Sequence, residues 1–314
     1  MKIYKNHVSV LLKEVIKNLK IKKNGIYIDC TFGLGGHSKN ILKKIKKNGF
    51  LYSFDKDPNT LKFSKKIENK NFHFINDSFE NLLKYTKKFN ITKKVNGILL
   101  DLGISKNQIY DKKRGFSFTL DGPLDMRINQ NIGISAEEWI NKSSEKDICK
   151  ILKKFGEERF SKNIAKSIIK HRRKKKIKRT LELSKIINNV ISNKNRKKNP
   201  STRSFQAIRI YINKELKSIK KILKDSLKIL APNGRLLVIS FNSLEDKIIK
   251  KFMKENSMNL NIPIKLPITN KEVKKLNYNK QLKILKKIKP KKKEIKKNPS
   301  SRSAILRVAI LKKK

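Results

Sequence analysis

Apolar residues fall into two alternating patterns along the first third of the chain. Short runs at Ile26–Cys30, Phe50–Phe54, Phe72–Ile75 and Gly97–Leu102 have the length and composition of buried strands. Between them, apolar residues recur at helical spacing. Val8, Leu11, Leu12, Val15, Ile16 and Leu19 would line one face of an opening helix, and Ile41, Leu42 and Ile45 a face of a second. Asp57-Pro58 adds an N-cap followed by proline in a first helical turn. Strand and helix patterns joined by short connections predict an α/β fold. Its parallel sheet would carry helices on both faces and bind ligands outside the carboxyl ends of the strands.

The pattern then changes. From about Ser135 to Lys194 only helical spacing is found, with a capping-box sequence at Ser135-Ala-Glu-Glu138 and an apolar stripe of Ile164, Ala165, Ile168 and Ile169. A long helix is expected from about Ser204 to Leu230. After it come a turn at Pro232-Asn-Gly234, a strand at Arg235–Phe241, a helix starting at Ser243-Leu-Glu-Asp246 and a final strand at Ser303–Leu311. The expected organisation is therefore an α/β core in two parts, residues 1–134 and 204–314, interrupted by a helical insertion at 135–203. A basic flexible stretch is expected at about 257–300.

Composition narrows the class. The chain has 314 residues, 37% of them hydrophobic, and no run approaches the length of a membrane span. The N-terminal residues contain no signal-peptide core. The two cysteines, Cys30 and Cys149, have neither metal-ligand nor disulfide-framework spacing, so a reduced, cytoplasmic protein without a metal is expected. With 80 basic and 25 acidic residues, the net charge is +55. Two readings account for it. One is nucleic-acid binding. The other is an AT-rich coding bias, since only 12 of the basic residues are arginine and Lys, Asn and Ile abound. Local clusters at Lys170–Arg179 and Lys286–Lys297 fit a binding surface or a solvated segment.

The densest chemistry lies in Tyr27-Ile-Asp-Cys-Thr-Phe-Gly-Leu-Gly-Gly-His-Ser38. A strand runs into a turn where Gly33, Gly35 and Gly36 let backbone approach a ligand. The next strand delivers Asp55, nineteen positions past Gly36, where a carboxylate can accept hydrogen bonds from ribose hydroxyls. The turn lacks the third glycine of dinucleotide enzymes and the Gly-Lys-Ser/Thr ending of a P-loop. S-adenosyl-L-methionine, a nucleoside cofactor without phosphate, suits it better than NAD(P). Asp101 ends another strand beside the same site. His37 starts a helix at the turn, whereas His7, His73 and His171 form no metal or triad pattern. The long segment Arg114–Arg127, rich in aromatics, Gly, Pro and charge, fits either a loop covering a site or an ordered surface excursion. Asn199–Gln206 and Asn298–Ser303 place Arg203 and Arg302 beside hydroxyls, as a phosphate contact or as a capped helix or strand entry.

Taken in order, these blocks resemble the ribosomal RNA small-subunit methyltransferase H family (RsmH, or MraW). The likeness rests on His7–Leu12, Asp29–Ser38, Asp55–Pro58, Asp101–Ser105, Arg114–Arg127, Gly156–Arg159, Ser201–Gln206, Ile239–Asp246 and Asn298–Ser303. The resemblance implies a class I S-adenosylmethionine-dependent methyltransferase, Rossmann-like with a mostly parallel sheet and an inserted all-helical subdomain. The implied reaction is N4-methylation of a cytidine in the decoding centre of 16S rRNA, within the small ribosomal subunit. It also implies cofactor contacts at Gly35, Gly36, His37, Asp55, Phe79, Asp101 and Gln108. For amino-group methylation, Asp101 is the first candidate acceptor, with Asn242 and Ser243 orienting the base. Arg114, Arg127, Arg203 and Arg302 are candidate RNA contacts. The chain departs from the family at Ser9, where proline is usual, and at Asn199 and Asn242, where histidine is usual. Monomer and homodimer both remain open.

Overall fold

The computed structural model describes residues 9–191, 199–257 and 280–313. The described chain forms two compact units, Met1–Gly103 with Leu216–Lys314, and Ile104–Glu215.

The first unit is built on a seven-stranded sheet in the order β3-β2-β1-β4-β5-β7-β6. Its strands are β1 (Ile26–Asp29), β2 (Phe50–Phe54), β3 (Phe72–Ile75), β4 (Val95–Asp101), β5 (Leu230–Ser240), β6 (Leu282–Ile288) and β7 (Ile305–Leu311). The first five are parallel, and β7 runs antiparallel to both β5 and β6. Both faces are buried because successive residues feed opposite cores. Ile28, Ile98, Leu100, Leu236 and Val238 pack on one side with Ile222 and Leu223 of α11 (Glu215–Ile229) and Ile249 of α12 (Ser243–Glu255). Tyr27, Leu99, Leu237 and Ile239 pack on the other with Val15 and Leu19 of α1 (Leu12–Leu19) and Ile41 of α2 (Gly36–Leu42). Two short helices, α3 (Leu61–Ser64) and α4 (Leu82–Lys88), complete the crossovers of this half. Strand order reverses between β1 and β4, and a doubly wound sheet opens a ligand crevice at that point.

The second unit holds α5 (Lys106–Tyr110), α6 (Ala136–Lys142), α7 (Glu145–Gly156), α8 (Ser161–Lys174), α9 (Thr180–Val190) and α10 (Ser201–Ile212). Ser135 caps α6 in the predicted capping box, its hydroxyl accepting from Glu138 N–H while Glu138 accepts from Ser135 N–H. The unit is wider than the expected 135–203. Phe116, Leu124, Met126 and Ile128, from the loop before α6, are buried in the helical core with Trp139, Ile164 and Leu183. Its far boundary follows from a break in the expected Ser204–Leu230 helix. Lys214 turns left-handed at φ 52°, separating α10 from α11.

Two further expectations are corrected. Pro232-Asn-Gly234 is not a turn before a strand but a bulge within β5. Val95 and Gly97 of β4 pair with Leu230 and Arg235, which leaves the intervening residues looped out and Asn233 at φ 63°. Of the stretch expected to be flexible, residues 258–279 lie outside the described residues. From Lys280 onward the chain is regular, with β6 followed by α13 (Lys292–Lys297) and a 3-10 turn, Pro299–Ser303. Leu282 anchors this part, fully buried in the core.

Candidate active site at the strand tips

The carboxyl ends of β1, β2 and β4 lie side by side, and each delivers an acid. Asp29 ends β1 and is fully buried. Its Oδ2 accepts from Ser38 Oγ at 2.6 Å and its Oδ1 from Thr31 N–H at 3.1 Å, so the acid closes the glycine turn on itself. Ser38 Oγ also meets Ser53 Oγ of β2 at 2.9 Å. Thr31 Oγ1 in turn accepts the Asp101 N–H at 2.7 Å, tying the turn to the end of β4. Burial holds the Asp29 carboxyl above the usual range, against the lowering effects of His37 and Ser38.

The turn itself depends on two glycines. Gly35 caps α2 at φ 77°, a conformation that L side chains rarely adopt, with the Phe32 ring against it. Gly36 has no room for a β-carbon because Ser9 Oγ occupies that space. Ser9 is buried in this contact.

Asp55, just past β2, spans the crevice edge. Its Oδ2 accepts from Gly33 N–H at 2.8 Å and its Oδ1 from Asp57 N–H at 2.9 Å. Burial raises its pKa to about 6, more than these hydrogen bonds lower it. Asp57 caps the following turn through Asn59 N–H, as the Asp-Pro pair predicts. Phe79, an expected cofactor contact, is half-buried in a 3-10 turn after β3 and packs against the sheet core. Its neighbour Asp77 is bound up locally, accepting from Ser78 N–H, Asn81 Nδ2 and Tyr85 Oη.

His37 and Asp101 differ from all of these groups. The imidazole is buried, and Nε2 lies 3.4 Å from Asp101 Oδ2. Burial alone would lower the His37 pKa, but the Asp101 and Asp29 carboxylates more than reverse that and raise it. Neither ring nitrogen makes a hydrogen bond among the described residues, and Asp101 Oδ1 is buried without one as well. Buried polar atoms in this state are costly unless a ligand completes them. The donors and acceptors that face the crevice suit a zwitterionic nucleoside with hydroxyls, amino and carboxylate groups and no phosphate. S-adenosylmethionine fits.

The chain matches the MraW methylase family over residues 4–312. It is a member of the MraW methylase family. Among curated relatives, a ribosomal RNA small subunit methyltransferase H of Buchnera aphidicola subsp. Acyrthosiphon pisum (strain APS) is 53% identical over 303 residues, covering 96% of this chain and 97% of the relative. That of Buchnera aphidicola subsp. Schizaphis graminum is 54% identical, covering 98% of each. The Wigglesworthia glossinidia brevipalpis protein of the same name is 52% identical, covering 96% and 98%. As a methylase of this family, the chain is an enzyme that takes its methyl group from S-adenosyl-L-methionine. No helix among the described residues is long and apolar enough to cross a membrane.

The remaining expected site residues fare differently. Gln108 lies in the helical unit, where its Oε1 accepts from Ser105 N–H and its N–H donates to Ser105 Oγ, a capping box that starts α5. Asn242, at the β5 tip, caps α12. Its Oδ1 accepts from both Leu244 N–H (3.1 Å) and Glu245 N–H (3.0 Å). The acceptor half of this side chain is therefore committed to the helix, and only the Nδ2 donor is left to meet a base. Ser243 is exposed at the first position of α12.

Three of the four expected RNA arginines have internal partners. Arg114 is buried, its Nη2 donating to the carbonyls of Arg127 (3.2 Å) and Ile128 (2.5 Å). Arg127 forks onto Asp125 through Nε and Nη2 and donates Nη1 to Gly133 O. Arg203 Nη1 reaches Glu157 O at 3.3 Å. The hydroxyls beside it are also internal, with Ser201 Oγ on Asn188 and Thr202 Oγ1 on Asn199 O, so this segment is a capped helix entry. Arg302 alone of the four is exposed with no partner among the described residues. Asn213 was missed by sequence reading. It accepts from Ile128 N–H and donates to Met126 O, pinning the loop to the end of α10. A polar residue at a helix end gives no signal of a partner 85 positions away.

Proposed function

We propose that this methylase acts on the exocyclic N4 of a cytidine in the decoding centre (P site) of 16S rRNA within the small ribosomal subunit. The observation that carries the reading is the buried, unsatisfied Asp101 Oδ1 beside His37 at the switch point of the sheet. The relatives, all small-subunit rRNA methyltransferases by name, support the class of substrate.

Bound S-adenosylmethionine supplies an electrophilic methyl group on a sulfonium. The rest falls to the chain. Cytosine N4 is a weak nucleophile because its lone pair is delocalised into the ring, so the amino group must be held in line and allowed to pyramidalise. As nitrogen bonds to carbon it gives up a proton, and an acceptor next to it favours that step. Asp101 fills this role in our reading, as a hydrogen-bond acceptor from the amino group. Asp55 orients the ribose through its carboxylate, Phe79 backs the adenine, and Gly35, Gly36 and His37 face the methionine end. Gln108 is a further cofactor contact in this reading, on the family resemblance. Asn242 is a base-orienting residue through Nδ2, which can donate to cytosine O2 or N3 but cannot accept the N4 proton while Oδ1 caps α12. Ser243, exposed beside it, is a second candidate for orienting the base. The target base must leave its stack to enter such a crevice.

Mass spectrometry of decoding-centre RNA from cells with and without the protein tests this directly. The proposal expects one cytidine to carry an N4-methyl group only when the protein is present. An unchanged cytidine mass overturns it.

A further inference from the structure

The sheet register puts one strongly basic segment at the same end as the methyl-transfer crevice. Ile305 pairs with Ser240 and Leu306 with Ile288, so the connection from Lys289 to Ala304 lies at the carboxyl end of β5. Asn242 is two residues beyond that end. The N-terminal residues reinforce the placement. Leu11 N–H donates to Glu294 Oε1 of α13 at 2.7 Å, while Ser9, two residues earlier, sits against Gly36 in the cofactor turn. The segment is thus held at its ends by the pairing of β6 and β7 and in its middle by the Leu11 contact.

Its charge is one-sided. Between Lys283 and Arg302 there are ten basic residues and one acid, Glu294, which is turned toward Leu11. Lys289, Lys292, Lys296 and Arg302 are exposed and make no ion pair among the described residues. Arg302 contrasts with the other two arginines of the sheet unit, Arg235 and Arg307, which are held internally. Arg307, five positions on, forks onto Asp246 at 2.7 and 2.9 Å, and Arg235 donates to Asn18 O. An arginine held on a 3-10 turn beside the active strand tip, with its planar fork open, is suited to a phosphate.

We propose that Lys289–Arg302 forms a phosphate-binding shelf for the RNA backbone next to the target nucleotide. This rests on the reading of the chain as an rRNA methyltransferase. The shelf holds the strand through charge and leaves base selection to the crevice.

The test compares two triple variants of the full-length protein. In the first, Lys289→Gln, Lys292→Gln and Arg302→Gln remove three shelf cations. In the second, Lys47→Gln, Lys70→Gln and Lys94→Gln remove three exposed lysines at the amino ends of the parallel strands, the opposite edge of the same sheet. Affinity for a 16S rRNA fragment spanning the decoding centre is measured across a salt series. Calorimetry with S-adenosylmethionine confirms that each variant is folded. The shelf variant is expected to bind RNA about 10-fold more weakly near 0.15 M salt, with the salt slope reduced by about 2. The control variant is expected to stay within about 2-fold of the parent. Equal losses in both variants, or none in the shelf variant, overturn the shelf. A parent protein that binds this RNA yet leaves its cytidine unmethylated overturns the proposed function instead. Relief of binding by anionic lipid vesicles rather than by competitor RNA would identify a membrane-surface role and likewise defeat the shelf.

Discussion

The glycine turn at the tip of β1 and the Arg114–Ile128 loop of the helical unit are both rich in glycine and aromatic residues and both carry charged groups. They use them in opposite ways. At the strand tips the fold buries polar atoms and leaves His37 Nδ1 and Asp101 Oδ1 without hydrogen bonds among the described residues, while His37 Nε2 lies 3.4 Å from Asp101 Oδ2. In the loop the charged groups turn inward. Arg114 takes two carbonyls, Arg127 takes Asp125 and Gly133, and Asn213 closes the ring through Met126 and Ile128. Gly115 sits at φ 69° with the Pro123 carbonyl pressed against it, so even its glycine serves self-packing. Arg114 Nε is also buried without a hydrogen bond among the described residues, so the contrast lies in grouping. At the strand tips the open atoms of His37 and Asp101 lie together, whereas in the loop most of the charged capacity is spent on neighbouring backbone and carboxylates.

The comparison can be broken most severely at Asp101. Asp101→Asn keeps the size and removes the acceptor charge. Single-turnover methylation should slow by about 10²–10³-fold, while S-adenosylmethionine affinity measured by calorimetry changes far less. A rate within a few-fold of the parent would remove Asp101 from the chemistry.

On the loop side, Arg114→Met should lower stability by about 2–4 kcal/mol in urea unfolding, because two backbone carbonyls lose a buried charged donor. Its affinity for the cofactor should hold. Loss of RNA binding without loss of stability would show that Arg114 faces the substrate after all.

A pH series sharpens the site side. Asp55 has its pKa raised from 3.8 to about 6 by burial. The folded protein therefore holds this proton more tightly than the unfolded chain. Stability from the protonated group is present below 3.8 and is lost as pH rises through 6. Cofactor binding moves the other way, since only the ionised carboxylate accepts from both ribose hydroxyls. Affinity should fall about 10-fold from pH 7 to pH 5, with its midpoint near 6. The dependence should vanish in Asp55→Asn.

The smallest effect is expected at Asn242. Asn242→Asp keeps an N-cap oxygen for Leu244 and Glu245 N–H, and aspartate caps as well as asparagine, so the melting temperature should barely move. It removes the Nδ2 donor. RNA kcat/KM should drop by about 3–10-fold, the cost of one neutral hydrogen bond. An unchanged kcat/KM would restrict Asn242 to capping.

Much of this was legible in the chain itself. The apolar runs at 26–30 and 50–54 predict their strands within a residue because a strand buried on both faces has no polar alternation to blur it, and the run at 72–75 matches β3 although that strand lies at the sheet edge with His73 exposed. The capping box at Ser135 is local chemistry, and it forms as read. β6 was hidden because it is an edge strand, where Lys283, Lys286 and Lys287 face solvent and interrupt the apolar pattern. The left-handed break at Lys214 and the bulge at Pro232–Gly234 answer to tertiary pairing, which local sequence does not encode. The same limit applies to the site. The glycine turn, Asp55 and Asp101 could be found by spacing along strands. That Arg114 is buried, that Asn242 points its oxygen back into α12, and that Arg302 stands open depend on neighbours distant in sequence or on backbone direction.

The most direct measurement is S-adenosylmethionine binding by calorimetry in two variants, Asp55→Asn at the strand tips and Arg127→Gln in the loop. Loss of a charged hydrogen bond at the cofactor should weaken binding in Asp55→Asn by about 10–100-fold. Arg127→Gln should bind as the parent does. Full affinity in Asp55→Asn, or a loss confined to Arg127→Gln, would contradict the placement of the methyl-donor site at the tips of β1, β2 and β4.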